Sequence, residues 1–172
     1  LDKNLREEVQ LELRQLQREL GVTTVLVTHD QEEALSLSTR LVVLDQGRIQ
    51  QIDTPIAAYQ RPSNRFVAQF IGTANLFRGE LRHRDGQALV AFPDGALLGC
   101  MAPSGPAGPV DVVVRPEHVE LLPADAAQGL RVEVVESVYL GQSCRLHLRT
   151  ADGVPVVALV QWEVPAYSSG QA

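Results

Sequence analysis

A histidine lies where an apolar segment meets the start of a predicted helix. Residues 23–28, with the sequence TTVLVT, are β-branched and largely apolar, and His29 and Asp30 follow them directly. This pattern predicts a strand buried on both faces, as in a parallel sheet. At the carboxyl ends of such strands, where ligands bind, an imidazole N–H can donate a hydrogen bond to a phosphoryl oxygen. The same position also suits a histidine that only fills a surface turn, and position alone leaves both interpretations open.

The acidic residues after His29 have a simpler explanation. Asp30, Glu32 and Glu33 lie at the start of a predicted helix over residues 31–38. Carboxylates in a first turn interact favourably with the positive end of the helix dipole. We therefore expect these side chains to stabilise the start of the helix.

The remaining histidines and the cysteines predict no metal site. They share no ligand spacing, and the two cysteines form no C-x-x-C motif, so free thiols in a reducing compartment are expected. Both cysteines are expected to be small core or strand residues. The residues concerned are His83, His118, His147, Cys100 and Cys144.

The first 72 residues predict helices, a strand and a hairpin. One helix is predicted over residues 5–20, because its apolar residues recur every three or four positions and Gly21 follows as a stop signal. Residues 41–45 and 48–52 flank Gln46-Gly47 and predict a hairpin with a tight turn. Pro55 can begin one short helix, and Asn64 can cap another over residues 65–71. The apolar stripe of the first helix consists of Leu5, Val9, Leu13, Leu16 and Leu20.

The rest of the chain predicts an all-β domain. Of the 13 Gly and 10 Pro, only 3 and 2 respectively precede residue 73. Short alternating runs cover residues 76–82, 88–92, 110–115, 130–140, 144–150 and 154–161, with turn sequences at 84–86, 93–95 and 151–153. Five or six such strands indicate a small barrel or sandwich. Residues 103–109 are expected to form a loop, Trp162 to anchor the last strand or a dimer contact, and residues 165–172 to fray.

Composition excludes several classes of protein. The chain has 172 residues and a net charge of -6, with a single lysine, Lys3. It contains no run of the roughly 20 apolar residues that a membrane span needs. Because phosphate neutralisation requires clustered Lys and Arg, nucleic acid is not an expected partner.

Four motifs resemble one family when they are read in order. LDKNLR at residues 1–6, TVLVTHDQEEA at 24–34, GRIQQ at 47–51 and PSNRFVAQFIG at 62–72 resemble the C-terminal part of an ABC importer ATP-binding subunit. The nearest group serves polyamine, ferric iron, sulfate, molybdate and sugar uptake, and in it a TOBE domain of the oligonucleotide/oligosaccharide-binding (OB) type follows the ATPase domain. VRPEH at 114–118 and YLG at 139–141 resemble the TOBE pattern.

The resemblance implies a fold, site residues and partners. Residues 1–72 would be the end of the α/β nucleotide-binding domain, and residues 73–172 an OB-like TOBE domain. Asp2 matches the D-loop aspartate, which couples the two ATP sites, although an acid at a helix start explains it equally well. His29 matches the switch histidine that contacts the ATP γ-phosphate. The intact subunit would use ATP and Mg²⁺ and form a homodimer on the cytoplasmic face of the inner-membrane permease.

The sequence departs from the family in three ways. Thr39 replaces the usual Asp and Asp53 the usual Gly, and neither position is the histidine. More importantly, a P-loop needs G-x-x-x-x-G-K-[ST], and Lys3 is in no Gly-rich setting. Since the chain also begins with Leu1, we expect a truncated subunit that alone neither binds ATP tightly nor hydrolyses it.

The second domain leaves alternatives open. Arg115 and Glu117 either bind a ligand together or stabilise a turn at the end of a strand, and we expect the turn. The domain is expected to be a dimerising appendage that can also take a small ligand. A rival function for the chain is a stand-alone module of OB-like fold that binds an oxyanion or another small ligand, or that dimerises.

Overall fold

The computed structural model describes residues 3–84, 87–92, 97–100, 105–124, 126 and 129–161. The chain divides into two compact units, residues 1–72 and 73–172. Several sequence predictions lie outside the described residues: Asp2, Trp162, most of the turns at 84–86 and 93–95, part of the loop at 103–109 and the tail at 165–172.

The first unit begins with the long helix α1, Lys3–Leu20. Gly21 ends it with φ +62°, and the N–H of Gly21 donates to the carbonyl of Gln17 at 3.1 Å. The predicted helix and its stop are confirmed. Its apolar stripe is only partly covered, because the five residues are between 41% and 61% exposed.

The prediction of a buried strand over residues 23–28 was wrong. Residues 22–28 have no regular secondary structure, and none of the described strands pairs with them. Val25 and Val27 are 85% and 91% exposed. A strand exists through hydrogen bonds to a neighbour, and a β-branched sequence cannot supply that neighbour itself.

A hairpin and three short helices complete the first unit. Helix α2 is Gln31–Leu37, β1 is Leu41–Asp45 and β2 is Arg48–Asp53. The strands are antiparallel, and Gln46 and Gly47 form their turn with φ of 47° and 73°, as predicted. Helices α3, Pro55–Gln60, and α4, Arg65–Phe70, begin at the predicted residues. The core consists of Val43, Ala58, Val67 and Ile71, with Leu35, Leu41, Tyr59 and Phe66 packed against it.

Two glutamines of β2 fasten the segment that precedes α4. Gln51 Oε1 accepts from the N–H of Ser63 at 2.8 Å, and its Nε2 donates to the carbonyl of Arg61 at 3.2 Å. Gln50 Oε1 accepts from Asn64 Nδ2 at 3.0 Å. Asn64 in turn caps α4, because its Oδ1 accepts from the N–H of Val67 at 2.9 Å. The predicted cap is confirmed, and hydrogen bonds to β2 hold it in place.

The second unit is built from antiparallel strands. One sheet has the order β5-β4-β3-β6 and the other β7-β8-β9. The predicted all-β character is confirmed, and hydrogen bonds join the described strands into two sheets rather than one closed ring. The strand bounds are β3 Asn75–Arg84, β4 Gln87–Ala91, β5 Leu97–Cys100, β6 Gly108–Val114, β7 Val132–Tyr139, β8 Ser143–Thr150 and β9 Pro155–Gln161.

Two details of the second unit differ from the sequence prediction. Strand β5 was not predicted, because its four residues are too few to show an alternating pattern. The predicted loop over 103–109 extended too far, since β6 begins at Gly108 and includes Pro109. Proline lacks an N–H, so it is tolerated at the start of an edge strand.

Strand alternation places the core of the second unit. The buried side chains come from alternate positions of β8 and β9 and from β7, and they face the same side of their sheet. Leu146 and Ala158 are fully buried. The core cluster is Val134, Cys144, Leu146, Leu148, Val156 and Ala158, with Phe77, Val119, Leu121, Val132 and Val160 packed against it.

Candidate functional site

His29 is exposed at a bend between an extended segment and a helix. Residues 22–28 lead into the bend, and α2 begins two residues later at Gln31. Although the predicted strand is absent, His29 still occupies the turn that precedes the helix.

The residues on either side of His29 close the turn with side-chain hydrogen bonds. The N–H of Asp30 donates to Thr28 Oγ1 at 2.9 Å, and the Thr28 hydroxyl donates to Glu33 Oε2 at 2.8 Å. Asp30 Oδ1 accepts from the N–H groups of Glu32 and Glu33 at 2.9 and 3.3 Å. Asp30 is therefore the N-cap of α2, the structural role expected for the acids of this segment.

The second carboxylate oxygen of Asp30 faces α1. Arg6 Nη1 donates to Asp30 Oδ2 at 3.0 Å, across 24 residues of sequence. The Arg6 and Asp30 side chains are 44% and 30% exposed. An ion pair this exposed contributes at most about 1 kcal/mol to stability. Its larger effect is geometric, because it fixes the turn relative to α1.

A second long-range bond reaches the turn from the end of the unit. The N–H of Gly72, two residues after α4, donates to Gln31 Oε1 at 2.9 Å. The Gln31 side chain is thereby tied to a residue 41 positions away. Helix α2 is also joined to α1, because the Ser36 hydroxyl donates to Gln10 Oε1 at 3.1 Å.

These residues line an open depression of about 490 Å³. Its lining is Arg6, His29, Asp30, Gln31 and Glu32. The His29 imidazole can donate to an incoming anion, and so can the Gln31 Nε2 amide and the Arg6 N–H groups that do not bind Asp30. Both oxygens of Asp30 are engaged, and Glu32 adds a further carboxylate. The depression can therefore contact a phosphate group, but its residues do not make a complete nucleotide or Mg²⁺ site.

Arg115 and Glu117 lie at a turn, as expected. Arg115 is buried, and its Nη1 donates to the carbonyl of Thr73 at 3.1 Å. The carbonyl of Arg115 accepts from the N–H of His118, and this hydrogen bond closes the first turn of the 3₁₀ helix Pro116–His118. Glu117 is an exposed residue of this helix. The arrangement is that of a strand end fastened by a buried arginine.

A second depression, of about 500 Å³, lies beside this turn. It is lined by Glu117, His118, Val119, Glu120, Leu121, Leu159, Val160 and Gln161. Two carboxylates and several aliphatic side chains make it a poor fit for an oxyanion, because like charges repel.

The other chemically active side chains remain separate. His83 Nε2 lies 3.0 Å from the carbonyl of Gly105, and Cys144 is a buried free thiol whose sulfur lies 3.0 Å from the Ser137 hydroxyl. Within the described ranges, no three His, Cys, Asp or Glu side chains are placed to bind a metal ion together. None of the described helices combines the length and apolar character needed to cross a membrane.

Sequence reasoning gave Arg6 no role, and it placed Gln31 in the histidine motif only as a supporting or structural residue without naming its partner. Both occur in the motifs that carry the family resemblance, but their partners are 24 and 41 residues away. No spacing rule connects residues so far apart, so only the tertiary structure could bring them to His29.

Comparison with known protein families gives a match to part of the second unit. The TOBE domain family matches residues 112–171. This range includes the buried turn at Arg115 and the three-stranded sheet, and it agrees with the predicted OB-like domain.

Three relatives that match most of the chain share one name. The spermidine/putrescine import ATP-binding protein PotA of Rubrobacter xylanophilus is 44% identical over 164 residues, covering 92% of this chain and 43% of the relative. PotA 1 of Pseudomonas aeruginosa is 44% identical over 156 residues, covering 89% and 42%. The protein of the same name in Roseobacter denitrificans is 39% identical over 165 residues, covering 94% and 46%.

These matches confirm the predicted resemblance. The chain is related to the ATP-binding subunits of ABC importers, and its residues 112–171 match the TOBE domain family. More particularly, the relatives named above are spermidine/putrescine import proteins. The chain spans less than half the length of each of them.

Proposed function

We propose that this chain is the His29-bearing part of an ATP-hydrolysing importer subunit, in which His29 donates a hydrogen bond to the γ-phosphate of ATP. The observation that carries the proposal is the exposed imidazole on a turn fastened at Thr28 and Asp30, beside Arg6. Relationship to import ATP-binding proteins supports the choice of nucleotide.

The chemistry required of His29 is modest. ATP, bound with Mg²⁺ by residues beyond those described here, supplies the phosphoryl group to be transferred. Catalysis of phosphoryl transfer consists mainly of positioning and charge stabilisation. An imidazole N–H aimed at a phosphoryl oxygen stabilises the negative charge that the oxygen carries, and it needs no proton transfer of its own.

The proposal includes partners and a cellular location. A second copy of the subunit would complete the two ATP sites, with Asp2 acting across the dimer, and permease subunits would hold the pair at the cytoplasmic face of the inner membrane. The solute is proposed from the relatives' names alone: spermidine, putrescine or a similar polyamine. Nucleic acid is not a proposed partner.

The test is a chimera in which this chain replaces the matching segment of the Pseudomonas aeruginosa relative. We expect it to hydrolyse ATP, and His29→Ala to lower kcat about 100-fold or more while KM changes little, because removing one such donor has an effect of this size. His118→Ala, an exposed histidine of the second unit, is the control and should leave kcat unchanged. A His29→Ala chimera with normal kcat would refute the role of His29.

The chain by itself is expected to show no ATP turnover. A P-loop lysine and Gly-rich loop are required to hold the phosphates, and the sequence contains neither. ATPase activity of the purified chain that disappears in His29→Ala would contradict this expectation.

The rival function as an oxyanion-binding module is not favoured. The depression in the second unit has Glu117 and Glu120 in its lining, and these carboxylates repel anions. Calorimetric titration of the chain with molybdate should therefore give no saturable heat.

A further inference from the structure

We propose that Arg6 and Gln31 are positioning residues for His29, and that they hold its turn from two sides. The inference rests on the proposed function, because it matters for activity only if His29 contacts the phosphate. Its structural content is independent of nucleotide.

The first step concerns His29 itself. Its side chain is exposed, so core packing does not fix the imidazole. The backbone of the turn therefore sets the direction of the His29 Cα–Cβ bond, from which the ring extends. Productive placement of a group in a site requires geometry fixed to about half an ångström.

The second step concerns the residue that follows His29. Asp30 uses Oδ1 to cap α2 and Oδ2 to bind Arg6 at 3.0 Å. Capping alone would let the turn move with the short helix. The ion pair adds a connection to the 18-residue helix α1, so the turn is held by a second and longer element.

The third step concerns Gln31. Its Oε1 accepts from the N–H of Gly72 at 2.9 Å, where the chain leaves α4. The neighbouring Val67 and Ile71 belong to the core of the unit. Gln31 therefore joins the turn to the segment after α4, which is well packed and lies far from α1 in the sequence.

The two contacts come from adjacent residues and end on different elements. Asp30 is held by α1 and Gln31 by the end of α4, so the backbone at His29 is restrained in two directions. Restraining a turn in this way removes conformational freedom before a ligand arrives.

The experiment uses the intact chain and NMR spectroscopy. Water exchange of the Glu32 and Glu33 amides reports the Asp30 cap, exchange of the Gly72 amide reports the Gln31 contact, and three-bond couplings report the rotamer distribution of His29. Arg6→Gln should speed exchange of the Glu32 and Glu33 amides about two- to fivefold, which corresponds to about 0.5–1 kcal/mol. It should also broaden the His29 rotamer distribution.

Matched variants separate positioning from a general loss of structure. Arg6→Lys keeps the cation and should restore most of the protection, whereas Arg18→Gln removes an exposed arginine of the same helix and should change nothing at His29. Gln31→Leu removes the acceptor and should deprotect the Gly72 amide severalfold, whereas Gln31→Glu keeps an acceptor oxygen and should retain it.

The outcome decides between clear alternatives. If Arg6→Gln and Gln31→Leu leave both the exchange rates and the His29 rotamers unchanged, the positioning role is overturned. Since no nucleotide is present, that result leaves the proposed function standing. Conversely, a fully active His29→Ala chimera would refute the function of His29 while leaving the NMR result intact.

Discussion

The side chain of Asn75 pairs with the backbone of Val157 as another strand would. Its Nδ2 donates to the Val157 carbonyl at 2.8 Å, and its Oδ1 accepts from the Val157 N–H at 2.7 Å. Asn75 begins β3 in one sheet and Val157 belongs to β9 in the other. One buried amide thus connects the two sheets of the second unit and satisfies two backbone groups.

Replacing this amide should destabilise the second unit. Asn75 is 4% exposed, and Asn75→Ala leaves the N–H and carbonyl of Val157 without their partner. We expect the free energy of unfolding to fall by about 2–4 kcal/mol, because each unsatisfied buried group costs about 1–3 kcal/mol. Denaturant unfolding followed by circular dichroism measures the loss.

A matched variant tests the geometry of the same contact. Asn75→Asp keeps an acceptor for the Val157 N–H but places a carboxylate against the Val157 carbonyl. It should be at least as destabilising as Asn75→Ala at neutral pH. A stable Asn75→Asp protein would show that the two hydrogen bonds do not hold the sheets together.

Gly79 is required by close packing inside the four-stranded sheet. A Cβ at this position would collide with Val90 Cγ1 and would lie 3.1 Å from the Ala91 carbonyl oxygen. Gly79→Ala should therefore lower the free energy of unfolding by about 1–3 kcal/mol, the usual cost of overpacking.

Two further variants check this explanation. Gly99→Ala, in β5, has nothing within 4 Å of the added methyl and should be close to neutral. The Gly79→Ala/Val90→Ala double variant should lose less stability than the sum of the two single variants, because Val90→Ala removes the colliding methyl groups. If the double variant is no better than the sum of the single ones, the clash with Val90 is not the cause.

Leu146 is the central side chain of the second core. It is fully buried on β8, between β7 and β9. Leu146→Ala should reduce the free energy of unfolding by about 2–5 kcal/mol through lost burial and the cavity left behind. Leu122→Ala, at a residue that is 52% exposed, is the control and should cost well under 1 kcal/mol. Equal effects of the two changes would contradict the assigned core.

The hairpin of the first unit contains one unfavourable backbone angle. Gln46 has φ 47°, in the left-handed region that Asn and Gly tolerate better than Gln. Gln46→Asn should therefore raise the free energy of unfolding by about 0.5–1 kcal/mol. Gln46→Ala keeps the strained angle and should give no gain, and thermal unfolding of the three proteins distinguishes these outcomes.

Local signals in the sequence predicted much of the fold. Pro55 begins α3, Asn64 caps α4 and Gln46-Gly47 forms the hairpin turn, because each acts on backbone a few residues away. The strand prediction at Val25 was wrong because strand formation does not depend on nearby residues alone. The β-branched sequence of this segment favours an extended chain, but pairing depends on a partner elsewhere.

The sequence alone indicated the family resemblance, most of the helices and strands and the identity of the candidate histidine. These depend on residue types at short spacing, and on four motifs read in order. Only the tertiary structure decided that Arg6 binds Asp30, that Gln31 binds Gly72 and that Asn75 joins two sheets. These contacts join residues 24, 41 and 82 positions apart. Folding creates such contacts by bringing distant elements together, and the periodicity of the sequence, which reports only local structure, does not predict them.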